Sequence, residues 1–231
     1  MQTNTKLNVL GIETSSMVCS VGLVRDGGAT VERRLVDPHI HSEKLLTLVE
    51  EVVDESGLDL HTLDAVAVSI GPGSFTGLRI GLSTAKGLCY SLGVSLLTVP
   101  TFDAVLRAAG RLRLDSDLLH IAVDAKQGEF YYGSFRNNGL AGATVNVQIM
   151  RLEELPWTQL RGESSVWITD RPEILRGFGV VSQSVHEYTS LCRGDVVAQA
   201  GIDRYRQNDQ ADLASVEPYY LKEFLVKSAK S

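Results

Sequence analysis

Ser69-Ile70-Gly71-Pro72-Gly73-Ser74-Phe75-Thr76-Gly77-Leu78-Arg79-Ile80-Gly81 is the stretch on which the fold turns. It follows Ala65-Val66-Ala67-Val68, a run of small and β-branched apolar residues that predicts a buried strand. Gly71-Pro72-Gly73 is a turn, because glycine permits positive φ and proline fixes its own. Ser74 is a suitable N-cap for a helix whose apolar face carries Phe75, Leu78, Leu82, Ala85, Cys89 and Leu92 at spacings of three and four. Gly77, Gly81 and Ala85 form a second stripe, nearly without side chains. A glycine inside a helix costs about 1 kcal/mol relative to alanine, so another backbone or a ligand is expected close against that stripe. A strand, a glycine-rich turn and a helix N-terminus can hold a phosphate, because free N–H groups and the helix dipole favour an anion. Neither a Gly-Lys-Ser/Thr nor a Gly-x-Gly-x-x-Gly spacing is present, so a tight turn feeding a closely packed helix stands as an equal reading.

The 231 residues suit one large domain or two small lobes, and 44% hydrophobic with 22% charged residues is the composition of an ordinary globular protein. A net charge of −6 argues against a generally basic nucleic-acid clamp, though not against a partner that holds nucleic acid. The polar start, Met1 to Lys6, runs directly into a strand and predicts no secretory signal, and no apolar run reaches the length of a membrane span. Cys19, Cys89 and Cys192 are widely spaced in apolar surroundings, which predicts buried free thiols in a reducing cytosol. Without Cys-x-x-Cys, no zinc site is expected.

Working outward, Leu7–Glu13, Val18–Val24 and Thr30–Val36 predict three antiparallel strands, with a polar corner at Glu13-Thr14-Ser15-Ser16. A carboxylate and hydroxyls at such a corner either bind a metal–phosphate group or satisfy the turn backbone, and the lack of a basic residue or second acid there favours the latter. Leu45, Leu46, Leu48, Val49, Val52 and Val53 predict a helix ending at Gly57, set beside the glycine-rich one. His39 and His41 read as turn and capping groups rather than metal ligands. Val94–Val99 is another strand, and Pro100-Thr101 starts a helix to about Ala109. Residues 7–110 therefore predict a mixed five-stranded sheet with packed helices. After a charged connector at 111–117, a second sheet is expected from Leu118–Asp124, Glu129–Arg136 and roughly Ala143–Arg151, with a hairpin signal at Asn137-Asn138-Gly139. Further expectations are a strand at Ser165–Thr169, a short helix after Arg171-Pro172, a strand near Val180-Val181 and a helix over Ser190–Gln207. Strand, polar corner and returning strand occur at both 7–24 and 118–136, with Asp124 placed like Glu13. That faint repeat predicts two lobes of related topology, 1–110 and 111–231.

Chemistry is harder to find. The five histidines, His39, His41, His61, His120 and His186, lie in no triad motif, and His-Glu-x-x-His is absent. On the residues alone this is a two-lobed α/β protein without a visible active site.

The motifs Leu10-Gly11-Ile12-Glu13-Thr14-Ser15-Ser16, His41-Ser42-Glu43-x-Leu45-Leu46, Gly71 to Gly81, and Asp124-Ala125 with Glu129-x-Tyr131 occur in this order. Together they resemble the TsaB (YeaZ) family, paralogues of the threonylcarbamoyltransferase TsaD. The terminal Pro218-x-Tyr220-Leu221-Lys222 is similar to that family's Pro-x-Tyr-Leu-Arg tail, with lysine for arginine. The resemblance implies an actin-like ATPase fold of two RNase-H-like lobes with mixed sheets flanked by helices. It implies a cytoplasmic role in making threonylcarbamoyladenosine on tRNA, as a subunit that binds and activates TsaD, with the small ATPase TsaE as third partner. It further implies that tRNA is reached through the complex, with no membrane involved, and that the isolated chain can form homodimers.

Departures from TsaD point away from catalysis. Where TsaD-like proteins carry a His-x-x-x-His metal pair, this chain has Val99-Pro100-Thr101-Phe102-Asp103-Ala104-Val105. The acids that follow Glu-Thr-Ser in TsaD are replaced by Ser16-Met17-Val18-Cys19, and the late Ser-Gly-Gly-type nucleotide loop has no counterpart. No catalytic residue, metal or cofactor of its own is therefore expected, with ATP and a metal ion held by the partners. The expected partner interface is Ser42, Leu45, Leu46, Val49, Ser74, Phe75, Gly77, Leu78, Gly81, Leu82 and Ala85. A vestigial nucleotide cleft is expected at Glu13, Thr14, Ser15, Gly71, Gly73 and Thr76. The competing enzymatic reading is a small-molecule kinase of the actin-like superfamily, and a metallopeptidase lacks its histidines.

Overall fold

In this computed structural model the described residues are 6–37, 39–112, 114, 116, 118–136, 146–156, 165–177 and 185–222. The chain opens with β1 (Asn8–Glu13), β2 (Val18–Arg25) and β3 (Thr30–Val36), an antiparallel meander. Then come α1 (His41–Ser56), β4 (Ala65–Ser69), α2 (Phe75–Leu92), β5 (Ser95–Val99) and α3 (Thr101–Gly110). The strands lie in the order β3-β2-β1-β4-β5, with β4 parallel to both neighbours. Crossover helices cover both faces, so every residue of β4 is buried, as its unbroken apolar run requires. Ser74 caps α2, its Oγ accepting from Gly77 N at 3.3 Å, and Gly57 and Gly93 end α1 and α2 in the left-handed conformation.

The second lobe contains β6 (Leu118–Asp124), β7 (Glu129–Arg136), β8 (Gln148–Arg151), β9 (Ser165–Thr169), α4 (Pro172–Gly177) and β10 (Val185–Glu187). Its order is β10-β9-β6-β7-β8, with β6 antiparallel to β7 and parallel to β9. Strand for strand this repeats the first sheet, and Asp124 ends β6 as Glu13 ends β1. The Asn137-Asn138-Gly139 signal, the start of the strand expected from Ala143 and the strand expected near Val180-Val181 lie outside the described residues. The strand at Val185–Glu187 was not foreseen, being only three residues long.

Two helices stand where one was expected over Ser190–Gln207. They are α5 (Tyr188–Leu191) and α6 (Gly194–Arg206), separated by extended backbone at Cys192 and Arg193. The break lets α6 lie on the first sheet. Gly11 and Gly22, directly paired across β1 and β2, meet the backbone of Gly194, Asp195 and Ala198 so closely that no Cβ fits at either glycine. Gly194 N donates to Ser20 Oγ at 2.9 Å at the same crossing. The expected boundary at 111 separates the two sheets in sequence but not all of their packing. Residues beyond it return to the first lobe, and a common core of β1, β4, β5, α3, β6, β7, β9 and α6 side chains lies between the sheets. A second cluster fills the space between the first sheet and α1 and α2.

Candidate functional site

Two regions compete for a functional role: the cleft between the lobes and the outer face of α1 and α2.

The cleft is a cavity of about 680 Å³, of a size to take a small molecule. On the first lobe it is lined by Ser15, Ser16, Met17 and the Gly73-Ser74-Phe75 entry to α2. The second lobe contributes the β6–β7 hairpin, Asp170, Arg171, Tyr188 and Thr189, and the chain's tail contributes Tyr220 and Lys222.

The first corner is tied to its own helix. Glu13 is fully buried, and its Oε1 accepts from Ser15 N at 2.7 Å and Ser15 Oγ at 2.5 Å. Burial pushes this carboxyl above its ordinary pKa, against the lowering effect of the Ser15 hydrogen bonds. Thr14 Oγ1 donates to Gly77 O at 2.8 Å, and the Thr14 carbonyl and hydroxyl occupy the places that Cβ atoms on Gly77 and Gly81 would take. Ser74 N donates to Ser15 O at 2.6 Å. The α2 N-terminus thus spends amides on the chain's own oxygens where a phosphate would need them.

In the second lobe, Asp124 Oδ2 accepts from Arg171 Nη2 at 2.6 Å and Lys126 Nζ at 3.3 Å. Burial opposes its ionisation, but Arg171 and Lys126 outweigh burial and hold the carboxyl below its ordinary range. Asp170 is pushed the other way, by burial and by the charge of Asp124 beside it. Lys222 is paired with Glu129 at 2.7 Å. The cations lining the cleft, Lys126, Arg171 and Lys222, are thus each paired with a carboxylate.

Of the six residues expected in a nucleotide cleft, Ser15 and Gly73 line the cavity. Glu13 and Thr14 are buried behind it, Gly71 is buried, and Thr76 faces solvent along α2. The residues expected at a partner interface fall into two groups by burial. Leu45, Val49, Gly77, Leu78, Gly81, Leu82 and Ala85 are buried within the chain, because that side of α1 and α2 covers β1, β2 and β4. Phe75 is half-buried under Arg79 and Tyr220, while Ser42, Leu46 and Ser74 are exposed. The face actually turned outward is Ser42, Leu46, Thr47 and Glu50 on α1 with Thr76, Arg79, Ser83, Gly87 and Tyr90 on α2. Leu46 is 58% and Tyr90 85% exposed, large values for apolar and aromatic side chains. Gly87 is the informative residue: a Cβ there would meet nothing within 4 Å, so this fold gives no reason for a helix-interior glycine. Its place after Thr76, Ile80 and Ser83 on the outer side of α2 was a signal available in the sequence and missed beside the more regular Gly77-Gly81 pair.

Other expectations resolve simply. His41 Nε2 donates to Val18 O at 3.0 Å, tying the start of α1 to β2. All three cysteines are free and buried, and burial raises the Cys19 and Cys89 thiols to about 11. Among the described residues no cluster of three or more His, Cys, Asp or Glu could hold a metal ion, and no helix is long and apolar enough to cross a membrane.

Comparison with known proteins agrees with this architecture. Residues 37–160 match the family TsaD, tRNA N6-adenosine threonylcarbamoyltransferase. The chain is 30% identical over 165 residues to the Escherichia coli tRNA threonylcarbamoyladenosine biosynthesis protein TsaB, spanning 71% of this chain and 70% of that one. It is 33% identical to the Haemophilus influenzae TsaB over 54% of this chain and 52% of the relative. A Pseudomonas aeruginosa crystal structure described as similar to peptidase YeaZ superposes with a TM-score of 0.77 at 22% identity, covering 94% of this chain and all of that one. The two mixed five-stranded sheets flanked by helices are the architecture shared with that YeaZ-like structure. With this fold, and with 30% identity over most of its length to the Escherichia coli protein, the chain belongs to the TsaB (YeaZ) family of tRNA threonylcarbamoyladenosine biosynthesis proteins.

Proposed function

We propose that the chain is a non-catalytic subunit that binds a TsaD-family threonylcarbamoyltransferase and supports its activity, with a TsaE-type ATPase as a third component. The observation that carries this reading is the outer face of α1 and α2, where Leu46 and Tyr90 are exposed and Gly87 has no internal reason to be a glycine. A second helix pair can approach α2 closely at Gly87 and bury Leu46 and Tyr90. Phosphoryl-transfer chemistry depends on positioned cations, and those in the cleft are paired with Asp124 and Glu129. Nucleotide and metal are accordingly assigned to the partners.

Gly87→Arg tests the interface directly. The variant should keep the wild-type melting temperature, since the site is open, and should bind cognate TsaD at least about tenfold more weakly by calorimetry. Undiminished binding by the folded variant counts against the interface. The cavity is the one observation that favours a second reading, a small-molecule kinase. Titration of the isolated chain with ATP and magnesium separates the two: saturable binding supports the kinase, and its absence supports the subunit.

A further inference from the structure

The last described residues cross from one lobe to the other. After α6 the chain runs along the first lobe, where Ala211 N donates to Leu96 O at 2.9 Å and Leu213 and Val216 pack into the cluster beneath α1 and α2. Tyr219 N then donates to Ile70 O at 2.7 Å, and the Tyr219 carbonyl lies where a Cβ on Gly71 would sit. The Tyr220 ring meets Phe75 at 4.9 Å between centroids, and its hydroxyl accepts from Arg79 Nε at 2.8 Å. The Arg79 guanidinium lies 3.9 Å over the Phe75 ring.

Two residues later the contacts belong to the other lobe. Lys222 Nζ donates to Ala125 O at 3.1 Å and Lys126 O at 3.2 Å, and pairs with Glu129 at 2.7 Å. These are three acceptors for an ammonium with three N–H bonds. The hairpin held in this way is unusual: Lys126 and Gln127 have φ of 66° and 61°, a left-handed conformation that non-glycine residues adopt only when their surroundings impose it. Tyr220 and Lys222 both line the cavity.

We infer that Glu217–Lys222 is an interlobe latch across the cleft, and that Arg79, on the outward face of α2, is its release point. The latch rests on the geometry above. The release rests on the docking face proposed in the previous section. A carboxylate on a docked partner would compete with Tyr220 for the Arg79 guanidinium, which already faces solvent. Losing that bond would weaken the hold of Tyr220 on the first lobe, and through Lys222 would loosen the hairpin of the second. Docking on α2 would then be transmitted to a cleft that the partner does not touch.

Hydrogen exchange read by mass spectrometry on the full chain tests both parts. Tyr220→Ala removes a contact to the first lobe only, and Lys222→Met removes contacts to the second lobe only. A latch predicts cross-talk. Tyr220→Ala should speed exchange in the 124–129 hairpin, and Lys222→Met should speed it in the 71–75 loop, each about tenfold, with β4 unchanged as the check on folding. Effects confined to the lobe that lost the contact would overturn the latch. Adding cognate TsaD to the wild-type chain should speed hairpin exchange as well. A complex that forms without that change overturns the release through Arg79. Failure to form any complex overturns the docking reading, while the two single variants still decide the latch.

Discussion

Thr14 shows how one residue decides what a neighbouring motif can do. Its carbonyl and hydroxyl sit against Gly77 and Gly81, so the glycines in the first half of α2 exist to admit this strand end. Gly81→Leu should therefore act on folding, whatever its effect on binding. Overpacking of this kind costs about 1–3 kcal/mol, and the melting temperature of the isolated chain should fall by about 3–10 °C. An unchanged melting temperature would mean that Thr14 can move aside. His120 gives a second test at this scale. It is buried, stacked on Trp167 at 4.5 Å, and hydrogen-bonds Tyr132 at 2.9 Å through Nδ1. Burial lowers its pKa from 6.5 to about 4. The unfolded chain thus takes up the proton first as pH falls. The contribution is complete above the unfolded pKa and is lost between about pH 6.5 and 4, amounting to about 3 kcal/mol at most. The raised carboxyls of Glu13 and Asp170 work in the opposite direction, losing stability as pH rises. The test is accordingly the stability of His120→Phe relative to wild type, which should rise by about 3 kcal/mol from pH 7 to pH 4. Parallel profiles would contradict the burial argument.

At the scale of elements, what was legible followed from local pattern. The three-strand meander, the buried β4, the Ser74 cap and the Gly57 stop each write themselves into a few consecutive residues, and each is present. The repeat of strand, acid and corner placed Asp124 correctly opposite Glu13. What failed depended on contacts distant in sequence. Nothing near Gly11 or Gly22 announces that α6 will lie on them, and nothing near Gly194 forecasts the break that starts α6. A glycine stripe signals close approach without naming what approaches: the backbone expected against Gly77 and Gly81 is that of Thr14 within the chain, while Gly87 has no internal neighbour. Gly87→Arg and Gly81→Leu should therefore separate cleanly, the first losing partner binding at wild-type stability and the second losing stability.

At the scale of the whole molecule, two lobes of one topology share a core, and among the described residues they are also joined by α6 on the first sheet and by the tail between Gly71 and the β6–β7 hairpin. Acid-neutralised cations and an α2 N-terminus occupied by Ser15 leave the cleft poorly equipped for phosphate. The proposed role places a partner on the outward face of α1 and α2, where Leu46 and Tyr90 are exposed. With a net charge of −6 the chain is not itself a general nucleic-acid clamp, which suits a subunit working through a partner that holds the tRNA. The most direct measurement is threonylcarbamoyl transfer to tRNA by cognate TsaD, supplied with the threonylcarbamoyl adenylate, TsaE and ATP, with and without this chain. The proposed role predicts transfer that depends on the chain and is not restored by its Gly87→Arg variant. Transfer at the same rate with the chain omitted would contradict it.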